Sequence, residues 1–543
     1  MFRDLRSHCF ARTSTFHASA RLTPSSALIV RSELGMRGVL VRGRNCSVIT
    51  EADRFALLVD GSNYYDALAE CIARARRTVV IVGWDLDSRV RLGPAAGREP
   101  LIPPLRDFLP GVASATPDLN IYILTWDFSV VFANARDPKL VLGQDPFKHP
   151  RVHLKFDSTH PSGASHHQKI VVIDDSLAFT GGMDIAGGRW DTPEHRAHDV
   201  RRAGADAPYP PSHDVQAMVD GDAARALAGI VRDRWYRSTG TPVVDSLQNN
   251  RDIWLKRVMP DLVNVSVGIS RTDVDTHGRH EVERLHLDLI DAARKYIYIE
   301  NQYLTSVAIV AALCRRLEAT HGPEVLIVLP LKNSGWLEEH TIEALRVESI
   351  RRLRAADRFQ RLRICYPLVP GLHDESVGVH SKILVIDDRL FRVGSSNLTN
   401  RSMRLDTECD VTVEAATDIH RSRISRLRNR LLAEHLGISA ADVEAFLSKE
   451  GSLLRLVDLR GANGRCLREL PDEDRPIQWM LGSELVDPSR PVTADVVMEA
   501  LTSSVTDQPV RRLLPFILIG FAMTAAAVAL VRRVRATSPP PKR

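Results

Sequence analysis

Two distant segments of this chain repeat each other, HHQKIVVIDDSLAFTGG at 166–182 and VHSKILVIDDRLFRVGS at 379–395. His167, Lys169, Asp174 and Gly181 have their counterparts in His380, Lys382, Asp387 and Gly394, each 213 positions further on. A period this long implies two similar domains rather than a solenoid of short repeats. The length agrees, because 543 residues exceed what one compact core usually organises. Lysine is scarce here, ten against 62 arginines, yet both copies place one two residues after the histidine.

The pattern also dictates local structure. Ile170-Val171-Val172-Ile173 and Ile383-Leu384-Val385-Ile386 are apolar, largely β-branched and end in Asp-Asp, so they read as buried strands closed by turns. Residues two apart on an extended segment share a face, so the His and Lys of each copy project together at the strand's entry. Asp174 and Asp387 begin the turns and read as turn residues first, although they stay in the candidate catalytic set as parts of the motif.

Packing the two repeats about a pseudo-twofold axis would bring two histidines and two lysines to one place. Fixed ammonium charges can grip phosphate oxygens. Two imidazoles can divide the remaining labour, one as nucleophile and one as the acid that protonates the leaving group and then activates the incoming one. Phosphodiester chemistry through a phosphohistidine needs this set. No Asp/Glu/His cluster with metal-ligand spacing appears near either motif, so neither a metal nor another cofactor is expected.

With the duplicated H-x-K-x4-D and the Gly-Gly or Gly-Ser after it, the chain resembles the phospholipase D superfamily. Three further stretches resemble its phospholipase D branch: IYIENQYL (297–304), GGMDIAGGRWDTPEH (181–195) and GSSNLTNRSMRLDTE (394–408). The similarity runs from about Asp60 to about Glu414. It implies an α/β fold in which two similar domains, each a mixed sheet flanked by helices, share one active site. It also implies hydrolysis of glycerophospholipids, or transfer of their phosphatidyl group to an alcohol. Carried over residue by residue, His167 is the nucleophile and His380 the general acid and base, while Lys169, Lys382, Asn397 and Ser395 hold phosphate. Glu408 is a carboxylate that orients a histidine ring, and Asp214 is expected to do the same for His167. Asp184, opposite Asn397 in the first copy, takes no phosphate role, because its charge would repel the anion. Trp84 and Tyr303 stand between core packing and lining the pocket. Arg189, Trp190 and Asp191 read as a surface loop, with a gate as the alternative.

The remainder of the chain is less specific. Residues 1–47 are arginine- and serine-rich and read as a disordered or targeting extension. The expected halves are 48–250 and 251–434, followed by a small helical element and linker over 435–510. Nineteen uncharged residues, Leu513 to Val531, match a bilayer's hydrocarbon thickness and lie between arginines. They predict a transmembrane helix over 511–535 with a basic tail at 536–543, a single-pass anchor on a cytoplasm-facing enzyme. The expected partners are a phospholipid membrane, as substrate and anchor, and a water or alcohol acceptor, with both half-sites in one monomeric chain. A cardiolipin synthase-like phosphatidyltransferase and a nuclease remain alternatives. A net charge of only +5 and the absence of a basic, aromatic stripe argue against nucleic acid. Seven scattered cysteines without a CxxC pair argue against a disulfide framework.

Overall fold

The computed structural model describes residues 38–493 apart from 97–101, 128–136, 142–143, 205–206, 246–251, 274–277, 333–335, 373–375, 461–463 and 473–486. Its strands, in chain order, begin with β1 (Val48–Val59), β2 (Thr78–Gly83), β3 (Asn120–Trp126), β4 (Val152–Asp157), β5 (Ile170–Ile173) and β6 (Leu177–Gly181). β7 (Ser212–His213), β8 (Val215–Asp220), β9 (Leu262–Asp273), β10 (Arg279–His280), β11 (Tyr296–Glu300) and β12 (Glu324–Val328) follow. The last are β13 (Leu362–Leu368), β14 (Gly378–Val379), β15 (Ile383–Ile386), β16 (Leu390–Gly394), β17 (Glu408–Glu414) and β18 (Cys466–Glu469).

All but β7 and β14 belong to one sheet, ordered β18-β13-β12-β11-β15-β16-β17-β9-β1-β8-β6-β5-β2-β3-β4, with β10 attached to β9. The order reads the same outward from its centre. β9 with β17, β16, β15, β11, β12 and β13 mirrors β1 with β8, β6, β5, β2, β3 and β4. The two halves thus form a single mixed sheet rather than two separate ones. β1 and β9, both twelve residues long, pair antiparallel from Val48–Ile269 to Phe55–Leu262. Each would otherwise be an open edge with unpaired backbone groups, and joining them satisfies both.

Helices cover both faces. One apolar core runs under the whole sheet, from Val82 and Val172 of the first half to Val385 and Val411 of the second. The helices Gly221–Thr239 and Asp418–Leu436 close it. The opposite face is divided into a core beneath the helix Asp60–Arg74 and another beneath the helices Glu281–Ala292 and Val307–Glu318. Strands buried on both faces explain the uninterrupted apolar runs of the repeat.

Residues expected to form extension and linker contribute to this body. Val39 and Leu40 donate backbone N–H groups to the Glu414 carboxylate, so ordered structure begins before residue 48. Beyond 435, the helices Ala440–Glu450 and Leu453–Arg460 pack on the shared core, and β18 extends the sheet at β13. The expected boundary between halves, at 250/251, lies outside the described residues.

The expected fold class is corrected at one point. Among the described residues no helix is long and apolar enough to cross a membrane, so the C-terminal transmembrane helix and the single-pass anchor built on it are not supported. The nineteen uncharged residues on which that expectation rests, by length and hydropathy alone, lie outside the described residues.

The motif aspartates terminate strands. Asp174 and Asp175 (φ 50° and 51°), like Asp387 and Asp388 (φ 53° and 52°), take the left-handed conformation that aspartate tolerates better than most residues. The Asp174 carboxylate accepts the N–H groups of Arg76, Arg77 and Thr78 at 2.7–2.9 Å, ahead of β2. Asp387 repeats this with Arg294, Lys295 and Tyr296, ahead of β11. They are capping residues whose carboxylates are already occupied, which removes them from the expected catalytic set. Asp174→Ala is expected to lower the unfolding free energy by about 2–4 kcal/mol, through three lost acceptors and a left-handed alanine. Urea denaturation checks this; an unchanged midpoint would contradict the capping role.

Candidate active site

The site lies where each repeat is pinned to the other half. His166 bridges Thr407 in parallel, and the His167 N–H donates to the Thr407 carbonyl at 3.0 Å. On the opposite side β14 pairs with β7 in parallel, Val379 facing His213, and the His380 N–H donates to the His213 carbonyl at 2.8 Å. Thr407 and His213 immediately precede the two acids, so the backbone crossing decides which carboxylate meets which ring.

The acids are consequently exchanged between halves. His167 Nδ1 lies 3.0 and 3.1 Å from the Glu408 carboxylate oxygens. His380 Nδ1 lies 2.7 Å from Asp214 Oδ2. Asp214 therefore serves His380, correcting the expected pairing with His167, and Glu408 serves the first-half histidine. A proton on each Nδ1 turns a free Nε2 away from the carboxylate. The rings remain reachable, with side chains 14% and 11% exposed.

Alternation along each motif separates chemistry from support. Between His167 and Lys169, Gln168 points the other way, donating to the Glu408 carbonyl at 3.2 Å and accepting from Arg234 at 2.9 Å. Ser381, between His380 and Lys382, donates to Glu300 at 2.6 Å. Ser395, expected to hold phosphate, instead donates its hydroxyl to Glu408 and accepts the Cys409 N–H at 3.0 Å. Ser402 supplies Glu408 with a second hydroxyl at 2.7 Å. Both serines are therefore buried supports of the carboxylate. At the corresponding place in the first half, a Cβ on Gly182 would approach Asp214 Oδ1 to 2.1 Å, so only glycine leaves room for that acid.

The lysines are not equivalent. Lys169 Nζ forms a 3.0 Å ion pair with Asp184 and donates to the His167 carbonyl at 3.1 Å. Lys382 Nζ faces Asn397's half, where no acid stands at the matching position, and contacts the His380 carbonyl, His380 Nδ1 (3.2 Å) and Gln302 Oε1 (3.5 Å). Asn397 is buried, and its Oδ1 has no hydrogen-bond partner among the described residues. Trp84 is half-buried and packs edge-on to His167 at 6.4 Å, whereas Tyr303 is buried and accepts from Gln302.

Burial and crowded cations set the proton affinities. His167 and His380 are both held well below the ordinary imidazole value, first by burial, then by the surrounding cations, including the other half's lysine in each case. Both rings are neutral near pH 7. Burial lowers the Lys382 ammonium to about 7, against the pull of Asp214. Burial raises Glu408 to about 8 against its two hydroxyl donors, and Asp214 to about 6 against Lys382 and Arg189.

A second buried group of acids and histidines adjoins the site. Asp60, His195, His213 and Glu434 offer four ligand atoms within 4.8 Å of one another, and His213, Glu300 and His435 offer three. No local spacing revealed these sets, because their members come from segments far apart in the chain. They are the residues that could hold a metal ion. As arranged they pair among themselves: His213 bridges Glu434 (2.8 Å) and Glu300 (2.9 Å), and His195 bridges Asp191 (2.8 Å) and Glu434 (3.1 Å). Burial lowers the affinity of His195 for a proton, but the surrounding carboxylates, Asp60 foremost, outweigh it and raise the ring to about 9. A cation would therefore have to displace protons from His195 and His213, whose ring is also held well above its ordinary value.

Two family models match the chain. One is described as Phospholipase D, over residues 71–332, and the other as Cardiolipin synthase, PLD-like domain, over residues 286–426. Among curated proteins the chain is similar to Phospholipase D A of Dictyostelium discoideum, 28% identical over 476 residues that cover 70% of this chain and 35% of that protein. It is also similar to Phospholipase D1 of Saccharomyces cerevisiae, 23% identical over 510 residues, covering 72% and 29%. The chain thus spans about a third of the length of these two relatives. Among solved structures, phosphatidylserine synthase of Haemophilus influenzae shares the fold, with a TM-score of 0.50 at 16% identity over 76% of this chain and 95% of that one.

Two outcomes follow from the crossed acids and the buried histidine. In ¹⁵N imidazole spectra, Glu408→Gln is expected to shift His167 while leaving His380 unmoved, and Asp214→Asn to do the reverse. The opposite assignment would disprove the crossing. A histidine with a raised folded pKa stabilises fully below its unfolded value, and that contribution is lost as pH rises through about 9. The stability margin of the native chain over His195→Gln should therefore be largest near pH 6 and shrink by pH 10 in urea titrations.

Proposed function

The chain belongs to the phospholipase D superfamily, and from that premise we propose that it cleaves the headgroup phosphodiester of glycerophospholipids through a phosphohistidine. The observation that carries the reading is the crossing itself, which presents two neutral, carboxylate-oriented imidazoles with two lysines at one seam. His380 takes up a proton at Nε2 as the anionic phosphodiester binds; His167 Nε2 then attacks phosphorus and the bond to the headgroup oxygen breaks, while His380 delivers that proton to the departing alcohol. His380 then takes a proton from water or another alcohol, whose oxygen attacks phosphorus and frees His167. Lys382 and Asn397 meet the phosphoryl oxygens as negative charge builds on them. Glu408 and Asp214 hold the rings in the productive tautomer and stabilise the charge each acquires.

A second reading, transfer to a lipid alcohol as in a cardiolipin synthase, has one specific support, the match of the second half to a model of that description. Both readings share the covalent intermediate and differ in the acceptor. The test offers phosphatidylcholine and phosphatidylglycerol vesicles and DNA, with and without a primary alcohol. Free choline and phosphatidyl-alcohol are expected under the first reading and cardiolipin under the second; cleaved DNA alone would overturn both. His167→Asn and His380→Asn should each reduce turnover by at least about 10⁴-fold with the fold intact. Substantial activity in either variant would refute the shared site.

A further inference from the structure

The two halves do not bring the same charge to the seam, because Asp184 pairs with Lys169 whereas its counterpart Asn397 leaves Lys382 without a matching acid. A phosphodiester anion arriving between the histidines would meet one lysine already neutralised. Arg189 lies on the loop that follows Asp184, and it is half-buried. Its Nε is buried with no hydrogen-bond partner, and its guanidinium has no ion pair among the described residues. Its charge nevertheless reaches the site. It is the largest charge acting on His380, and it also acts on Lys382 and Asp214.

The loop is fixed on both sides of this residue. Tyr65 donates its hydroxyl to the carbonyls of Asp184 (3.1 Å) and Ala186 (3.3 Å), and Tyr209 donates to that of Trp190 at 2.9 Å. The Ser62 N–H donates to the Asp191 carbonyl at 2.8 Å. A Cβ on Gly61 would come within 2.2 Å of the Arg189 carbonyl oxygen, so the helix start and the loop are in direct backbone contact. The same helix start is tied to the acid on His380, because the Asp60 N–H donates to the Asp214 carbonyl at 2.8 Å, so a guanidinium without an ion pair among the described residues sits on an anchored backbone before any ligand arrives. The attraction of the Asp214 carboxylate offsets part of the desolvation this costs, and an anion bound between the histidines would offset more.

We propose that Arg189 is a further substrate-binding residue, the cation that meets a non-bridging phosphoryl oxygen on the His380 side and replaces the charge Lys169 gives to Asp184. This rests on the phosphodiesterase reading and adds a third cation to it. A guanidinium offers two parallel N–H donors to one phosphate, which a lysine cannot reproduce.

The test compares the native chain, Arg189→Gln, Arg189→Lys and the exposed control Arg196→Gln. Inorganic phosphate binding is measured by calorimetry, and turnover on a soluble short-chain phosphatidylcholine. Arg189→Gln is expected to weaken phosphate about tenfold and lower kcat/KM about 100-fold with an unchanged melting temperature, while Arg196→Gln matches the native chain. Arg189→Lys should fall between, because it keeps charge and loses the fork. Phosphate affinity and kcat/KM within twofold of native in Arg189→Gln would overturn the proposal. Should that variant not fold, Arg189→Lys decides alone, native values overturning the proposal and a loss of fivefold or more supporting it. Native protein that turns over no phosphatidylcholine would defeat the phosphodiesterase reading, while the phosphate arm would still decide whether Arg189 binds the anion.

Discussion

Two short stretches of backbone pairing hold the site together. His166–His167 runs beside Thr407, and Val379–His380 runs beside His213, so each half supplies the strand on which the other's motif rests. Because an acid follows each pairing residue, orientation of both imidazoles comes from across the seam. Neither half holds its own histidine in working order. The arrangement also explains why a continuous sheet serves better than two docked domains. Slippage between β1 and β9 would move both carboxylates away from both rings, and the register between those strands, from Val48–Ile269 to Phe55–Leu262, resists it.

Concentrating this much charge in a buried seam has a physical consequence. Burial first, and neighbouring cations after it, make His167, His380 and Lys382 bind protons less readily than they would in water. Carboxylates crowd His195 and His213 until they bind protons more readily. Two zones of opposite polarity thus lie side by side, the first suited to an incoming anion and the second closed by its own ion pairs. The division follows from which residues alternate along the strands. His380 and Lys382 face the anion zone, and Ser381 between them reaches Glu300 in the other.

The repeat foretold much of this. The strands Ile170–Ile173 and Ile383–Ile386, the shared face of each His and Lys, and the aspartate turns all follow from local sterics and alternation. The place of Ser395 beside Asn397 says nothing of Glu408, thirteen residues on, which claims its hydroxyl. Proximity in sequence favours His167 as the partner of Asp214, whereas proximity in space is set by β7 lying against β14. Arg189 offered only a glycine-rich loop, and its nearness to His380 depends on a helix start more than a hundred residues upstream. The group of Asp60, His195, His213 and Glu434 had no local spacing to betray it.

What the chain alone determined is whatever a few consecutive residues decide: two copies of a motif, their strand-and-turn geometry, and the side chains that alternate toward one face. Period-two geometry and the left-handed tolerance of aspartate act over a handful of residues, so they are visible in a string of letters. Tertiary structure decided the partners: which acid meets which imidazole, which lysine is neutralised, and which arginine has no ion pair among the described residues. Those outcomes depend on long-range strand pairing and on shared burial, where the strength of each charge is fixed by neighbours that no spacing rule connects.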